Sequence, residues 1–233
     1  ATLNGLCKPW VGTLDHFTGM QSSPQNMLAE CDVLWVGHPV AMIVAHSRAQ
    51  AEDACELIML DIEEKEAVVD GYAALVPGAA LASGGITSNV CFETVVETPD
   101  VDAAFARAAH VVEASFTFGR HTAVTLEPRA IVADFDPSAR QLNVHHGTQT
   151  PYQFQDIYAR HFGLSEGKVR VIAPDVGGSF GMKLHVYNEE MATVAASIAL
   201  GRPVRFVADR LESFVSDIHA RDHRVSARMA LDA

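Results

Sequence analysis

The chain has 233 residues, 48% of them hydrophobic and 20% charged, with a formal net charge of −12 and a pI near 5.3. Such a composition buries a real core in one large domain or two small ones and excludes disorder; its negative balance excludes nucleic acid, whose phosphates it would repel. No apolar run approaches the ~20 residues needed to cross a bilayer, nothing at the start resembles a signal peptide, and the four cysteines, Cys7, Cys31, Cys55 and Cys91, contain no C-x-x-C, which excludes a zinc ribbon or iron–sulfur site and points to reduced thiols in a cytoplasmic protein.

Residues 1–30 mix Gly, Pro, Ser and Asn without periodicity and read as loop, with order beginning near Val33. Val36-Gly37-His38-Pro39 reads as a turn into a strand over 40–45. Ser47, with Gln50 three residues on, forms a capping box that opens a helix whose buried face is Ala51, Ala54, Cys55 and Ile58. A strand over 58–63 and an acidic loop to Asp70 complete a small α/β unit. Residues 76–99, with Pro77, Gly78, Gly84, Gly85 and Pro99, read as a linker between domains. Beyond it, Asp100 caps a short helix with Val101, Ala104, Phe105 and Ala108 on one face. Val112, Ala114, Phe116 and Phe118 alternate with polar residues, the pattern of a half-buried strand. The spans 131–135 and 141–145 flank Asp136-Pro137-Ser138-Ala139 as a hairpin.

A strand ending at His146 leads to Gly147-Thr148-Gln149-Thr150-Pro151, where Thr150 suits an N-cap and Pro151 the first helical position. That helix closes on Gly163. A strand over 168–173 then enters a loop holding Gly177, Gly178, Ser179, Phe180 and Gly181, followed by a helix with Tyr187, Met191, Val194, Ala195 and Ile198 on its buried stripe and Gly201 at its end. The span 204–208 is a further strand, and 225–231 is the last. If the strands before Gln149 and before the glycine loop are neighbours, both groups share one end of a sheet, where α/β structures bind ligands.

The glycine loop matches neither G-x-G-x-x-G nor G-x-x-x-x-G-K-[ST]. A tight turn and a binding loop with free N–H groups remain equally open for it. Gln149 reads either as a cap on neighbouring backbone or as a group that orients a polar cofactor. His219 and His223, four apart, can share a helix face, but lack H-E-x-x-H and are crowded by Arg221 and Arg224, so no metal site is assigned. His145 and His146 alternate across a strand, so only one faces inward. Glu189 and Glu190 fit the first turn of a helix, and Glu127-Pro128-Arg129 fits a structural ion pair. No G-x-S-x-G occurs. Residue chemistry alone yields no complete catalytic set.

Five stretches in order resemble one family. Val36-Gly37-His38-Pro39-Val40-Ala41 with Arg48-Ala49-Gln50-Ala51-Glu52-Asp53-Ala54, then Leu126-Glu127-Pro128-Arg129, then Gly147-Thr148-Gln149-Thr150-Pro151, then Asp175-Val176-Gly177-Gly178-Ser179-Phe180-Gly181-Met182-Lys183, and finally Gly201-Arg202-Pro203-Val204 with Ala220-Arg221-Asp222-His223 resemble the molybdenum hydroxylases. The likeness is to the large molybdopterin-binding subunit of the xanthine dehydrogenase and aldehyde oxidase type, above all to carbon monoxide dehydrogenase large chains.

The resemblance implies an α/β (α+β) fold: a partial α/β-hammerhead domain over 1–75, a linker over 76–99 and the first part of a molybdenum-cofactor domain over 100–233. It implies oxidation of a small substrate with water-derived oxygen, a molybdopterin cofactor that includes a cytosine dinucleotide form among its expected versions, and iron–sulfur and FAD partners. Gln149 then hydrogen-bonds an oxo ligand, and Gly177, Gly178, Ser179, Phe180 and Gly181 line the cofactor. Ser179 replaces a usual glycine, and Asn188 a common proline. The chain starts without Met and stops inside an expected strand, so a fragment is expected, catalytically incompetent alone because the family's base glutamate has no counterpart in it. Self-association through a bare edge is a further expectation. The rival readings are a non-catalytic assembly module, which would carry no molybdenum or pterin, and a nucleotide-binding domain, which a nucleotide titration would reveal.

Overall fold

The computed structural model describes residues 3–12 and 17–232. The N-terminal segment is irregular, as expected, yet ordered against the core. Trp10 and Met27 are 8% and 1% exposed, and the Asn188 side chain donates to the Asn26 carbonyl at 2.7 Å. Order therefore begins well before Val33: a coil segment carrying two large apolar anchors buries them wherever the sheet leaves a gap.

Helix α1 (Arg48–Cys55) starts where its cap predicts, with Ser47 Oγ accepting from Gln50 N at 3.3 Å. Ala51 and Ala54 are half-buried, but Cys55 and Ile58 are exposed. The spans 40–45 and 58–63 run without strand pairing. Both are apolar enough for strands, but a strand needs a ladder partner, and none of the described residues supplies one. The turn at 36–37 docks on the last helix. Gly37 has φ +93°, and a Cβ there would sit 2.8 Å from the Val215 carbonyl oxygen, so only glycine fits. Residues 76–99 carry no regular element, and they lie against the N-terminal segment through Gln21 N to Cys91 O (2.9 Å) and Ser23 Oγ to Ser83 Oγ (2.7 Å).

Helix α2 (Val101–Arg107) follows Asp100, which occupies the cap position in a left-handed conformation without a side-chain bond. Strand β1 (His110–Phe118) comes next and pairs antiparallel with the last strand in an isolated two-stranded ribbon. Its alternation predicts one buried face. Instead every residue is exposed, Phe116 by 53%; the ribbon's outside contacts include those of the last strand, where Arg224 lies over the Tyr72 ring and Arg228 over the Phe105 ring, and these leave β1 open.

The core is a four-stranded sheet. Strands β2 (Ala130–Asp136) and β3 (Gln141–His146) form the expected hairpin, its turn closed by Asp136 Oδ1 accepting from Ser138 N and Ala139 N. Helix α3 (Pro151–Phe162), ended by left-handed Gly163, crosses to β4 (Val169–Ile172), which lies parallel to β3. Helix α4 (Asn188–Leu200), ended by left-handed Gly201, leads to β5 (Val204–Val207), antiparallel to β2. The order is β4-β3-β2-β5. Ile131, Ala133, Phe135, Leu142, Val144 and His146 are buried on one face, and the alternate residues of β2 and β3 are half-buried or exposed. Phe154 and Tyr158 from α3 and Met191, Val194 and Ala195 from α4 complete that core. The architecture is a two-layer mixture of helix and sheet. Helix α5 (Arg210–Ser216), capped by Asp209 Oδ1 on Leu211 N at 2.8 Å, and strand β6 (His223–Leu231) end the chain.

Candidate functional site

Because β3 and β4 are parallel neighbours, the loops that leave them at 147–150 and 173–187 emerge from the same end of the sheet. The two loops are laced together. Gln149 N donates to the Lys183 carbonyl at 3.3 Å, and the Thr148 hydroxyl donates to that same oxygen at 2.8 Å. The Ser179 hydroxyl donates to Gln149 Oε1. Gln149 and the glycine loop, singled out separately in the sequence, thus form one surface.

The loop's backbone follows from its composition. Gly177, Gly178 and Gly181 have φ of +61°, +95° and +87°. A Cβ on Gly177 would lie 2.2 Å from Glu127 Cβ and Oε2, which excludes every other residue there. Phe180 also adopts a left-handed φ of +53°, unusual for an aromatic side chain, and projects 82% exposed. The amides of Gly177, Gly178, Ser179, Phe180 and Gly181 donate to no acceptor among the described residues. Underneath, Lys183 is buried and its ammonium donates to the Val176 carbonyl. Burial lowers its pKa, against the opposing pull of Glu127, Asp217 and Glu190.

The support below this surface was not legible in the sequence. Arg129, fully buried, lies at the start of β2 at the same sheet end. Its expected partner Glu127 makes no ion pair with it. Its guanidinium instead bonds Asp217 (Nε to Oδ1, 2.6 Å), Glu189 (Nη2 to Oε1, 3.3 Å) and Ser216 Oγ (3.1 Å), approaches Glu190 Oε1 at 3.5 Å, and stacks 3.8 Å above the Tyr187 ring. Glu189 and Glu190 do occupy the first turn of α4, but as buried partners of Arg129 rather than as solvated charges. His146, the inward member of the histidine pair, meets Glu190 Oε2 at 3.1 Å and the Tyr158 hydroxyl at 3.2 Å. Burial pushes Glu190 upward, but its interactions with His146 and Arg129 outweigh it and hold the pKa below its usual value. Glu189 stays above its own because burial outweighs Arg129. Only the paired glutamates and the Glu-Pro-Arg stretch hinted at this cluster; its members lie 60 and 88 residues apart.

Two other expectations resolve differently. Thr150 holds the cap position of α3 without a side-chain bond, and the Thr148 hydroxyl accepts from its N–H at 3.2 Å instead. His219 lies in a loop and His223 begins β6, so the pair shares no helix face. No metal-holding group of three His, Cys, Asp or Glu side chains occurs among the described residues. No helix of the described residues is long and apolar enough to cross a membrane.

Residues 84–233 match the family model described as the molybdopterin cofactor-binding domain. The chain is 37% identical over 215 residues to the nicotine 6-hydroxylase large subunit of Paenarthrobacter nicotinovorans, covering 92% of this chain and 26% of that protein. It is 33% identical to the carbon monoxide dehydrogenase large chain of Afipia carboxidovorans, over 93% of this chain and 28% of that one. The crystal structure of quinoline 2-oxidoreductase from Pseudomonas putida 86 superposes with a TM-score of 0.92 at 37% identity, covering 99% of this chain and 29% of the other. The chain thus spans about a quarter of the length of the curated relatives it matches.

Proposed function

Since the chain belongs to the molybdopterin cofactor-binding domain family, we propose that Gln149 and loop 177–181 form one wall of the cofactor pocket in the large subunit of a molybdenum hydroxylase. The observation that carries this reading is the convergence of the Gln149 carboxamide and five free backbone N–H groups at a single sheet end. Such a group of unpaired N–H donors fits an electron-rich, acceptor-bearing group. Gly181 fits as well, since a Cβ there would project into open space beside the loop.

When bound, the molybdopterin group supplies two-electron oxidation at molybdenum, with electrons passing on to iron–sulfur and flavin partners. The chain's own contribution is orientation. Gln149 would donate to an acceptor on the bound group, the 177–181 amides would hold it alongside, and the Arg129 cluster supports the elements beneath the two loops. Residues 1–75 we assign to part of an α/β-hammerhead domain, supported by a structural match covering 99% of the chain. In the same reading residues 1–233 alone are expected to be catalytically incompetent and to hold the cofactor weakly. The cytosine dinucleotide form of the cofactor is part of the same reading.

Among carbon monoxide, an aldehyde and an N-heterocycle, the last is the substrate class we favour. Two relatives at 37% identity are named for nicotine and quinoline, against 33% for the carbon monoxide dehydrogenase chain. The test is molybdenum and pterin analysis of the protein isolated with its partners, alongside Gln149→Ala. We expect both components in each protein, with turnover lower by roughly 10²–10³ in the variant, the usual effect of losing one preorganised donor. Wild-type protein free of molybdenum and pterin would sink the reading and favour an assembly module.

A further inference from the structure

Which end of the Gln149 carboxamide faces outward decides what this wall offers. We propose that Ser179 is a positioning residue that fixes that orientation, turning the Gln149 amide nitrogen toward the open side; the inference rests on the cofactor reading above. It follows from donor and acceptor bookkeeping. Lys183 N–H, which can only donate, points at Ser179 Oγ at 3.1 Å. With one lone pair taken by Lys183 N–H, the hydroxyl proton goes to Gln149 Oε1 in this structure, an arrangement that uses Ser179 both as acceptor and as donor. That pins the carbonyl end of the carboxamide against the loop. Gln149 Nε2 donates to no described residue, so its two hydrogens join the five free amides. The unpaired donors of the wall then come from the carboxamide and the loop backbone together. Flipped, the same side chain would place a carbonyl oxygen among them and repel the acceptor they are arranged to receive. Ser179 is not among the residues with positive φ, so alanine and threonine both fit its backbone.

The experiment uses the protein with its partner subunits and compares Ser179→Ala, Ser179→Thr, Gln149→Ala and the Ser179→Ala/Gln149→Ala double variant. Two readouts are taken: steady-state kinetics, and the Mo(V) paramagnetic resonance spectrum of the partly reduced protein. Ser179→Ala is expected to lower kcat roughly three- to tenfold, the worth of one ordinary hydrogen bond, with KM and molybdenum content unchanged. Its Mo(V) signal should split into two species. Ser179→Thr should restore both readouts, and Ser179→Ala should add nothing in the Gln149→Ala background. An undisturbed Ser179→Ala beside a disturbed Gln149→Ala overturns this inference alone. A silent Gln149→Ala overturns the cofactor reading and this inference with it.

Discussion

Replacing Arg129 by methionine tests the support beneath the site. Methionine keeps much of the volume but removes the charge that Glu189, Glu190 and Asp217 share. The guanidinium is fully buried, so water cannot take its place. Breaking one buried ion pair by deleting a partner costs about 3–5 kcal/mol, and here Glu189 and Asp217 lose their cationic partner while Glu190 keeps only His146. The bonds are not additive, so about 4 kcal/mol is a reasonable floor. Against a typical stability of about 5–15 kcal/mol, that lowers Tm by roughly 8–16 °C at this chain length.

The loss should depend on pH in a definite direction. Glu190 is now held below its usual pKa, so it contributes stability above its unfolded value, which vanishes as pH falls through the folded one. Without Arg129, Glu189 rises further and Glu190 loses a main counter-charge. Carboxylates raised above their unfolded values destabilise the fold at neutral pH and cease to do so once protonated. Urea unfolding of both proteins should therefore show the largest gap near pH 7–8, narrowing toward about pH 4–5. A gap under about 1 kcal/mol, or one that widens in acid, refutes the reasoning.

Gly177→Ala should distort the loop, since its Cβ has no room beside Glu127 and φ is +61°. The protein with its partners is expected to lose molybdenum while α3 and α4 keep their circular dichroism; full molybdenum content would contradict this. The bare ribbon of β1 and β6 should drive residues 1–233 to associate with themselves in isolation. Phe116→Lys, on an exposed position of β1, should shift sedimentation toward monomer; a wild-type chain that stays monomeric at high concentration refutes it.

What could be read in the sequence was what local chemistry determines. The hairpin at Asp136, the ends at Gly163 and Gly201 and the buried stripe of α4 each follow from a few adjacent residues. The meeting of Gln149 with the glycine loop followed from one topological assumption, that the strands before them are neighbours. Long-range choices were illegible. The spans 40–45 and 58–63 have the apolarity of strands, and nothing local says that no ladder awaits them. Trp10 and Met27 sit in coil whose burial is decided by the sheet. Arg129 reaches Asp217 across 88 residues, and no spacing rule encodes such a contact. Ser179 was visible as a departure from the family's glycine, but its acceptor was not.

The β1–β6 pairing also constrains the order of assembly. Phe118 meets His223 in register, so the whole four-stranded sheet lies in the stretch of chain between the two strands. Bringing such distant segments together is entropically costly until the intervening residues have already collapsed. The ribbon is therefore expected to close late, after the hairpin, the crossover and the Arg129 cluster have drawn its ends near. A cut between Asp217 and β6, in the stretch 218–222, should release it and spare the sheet.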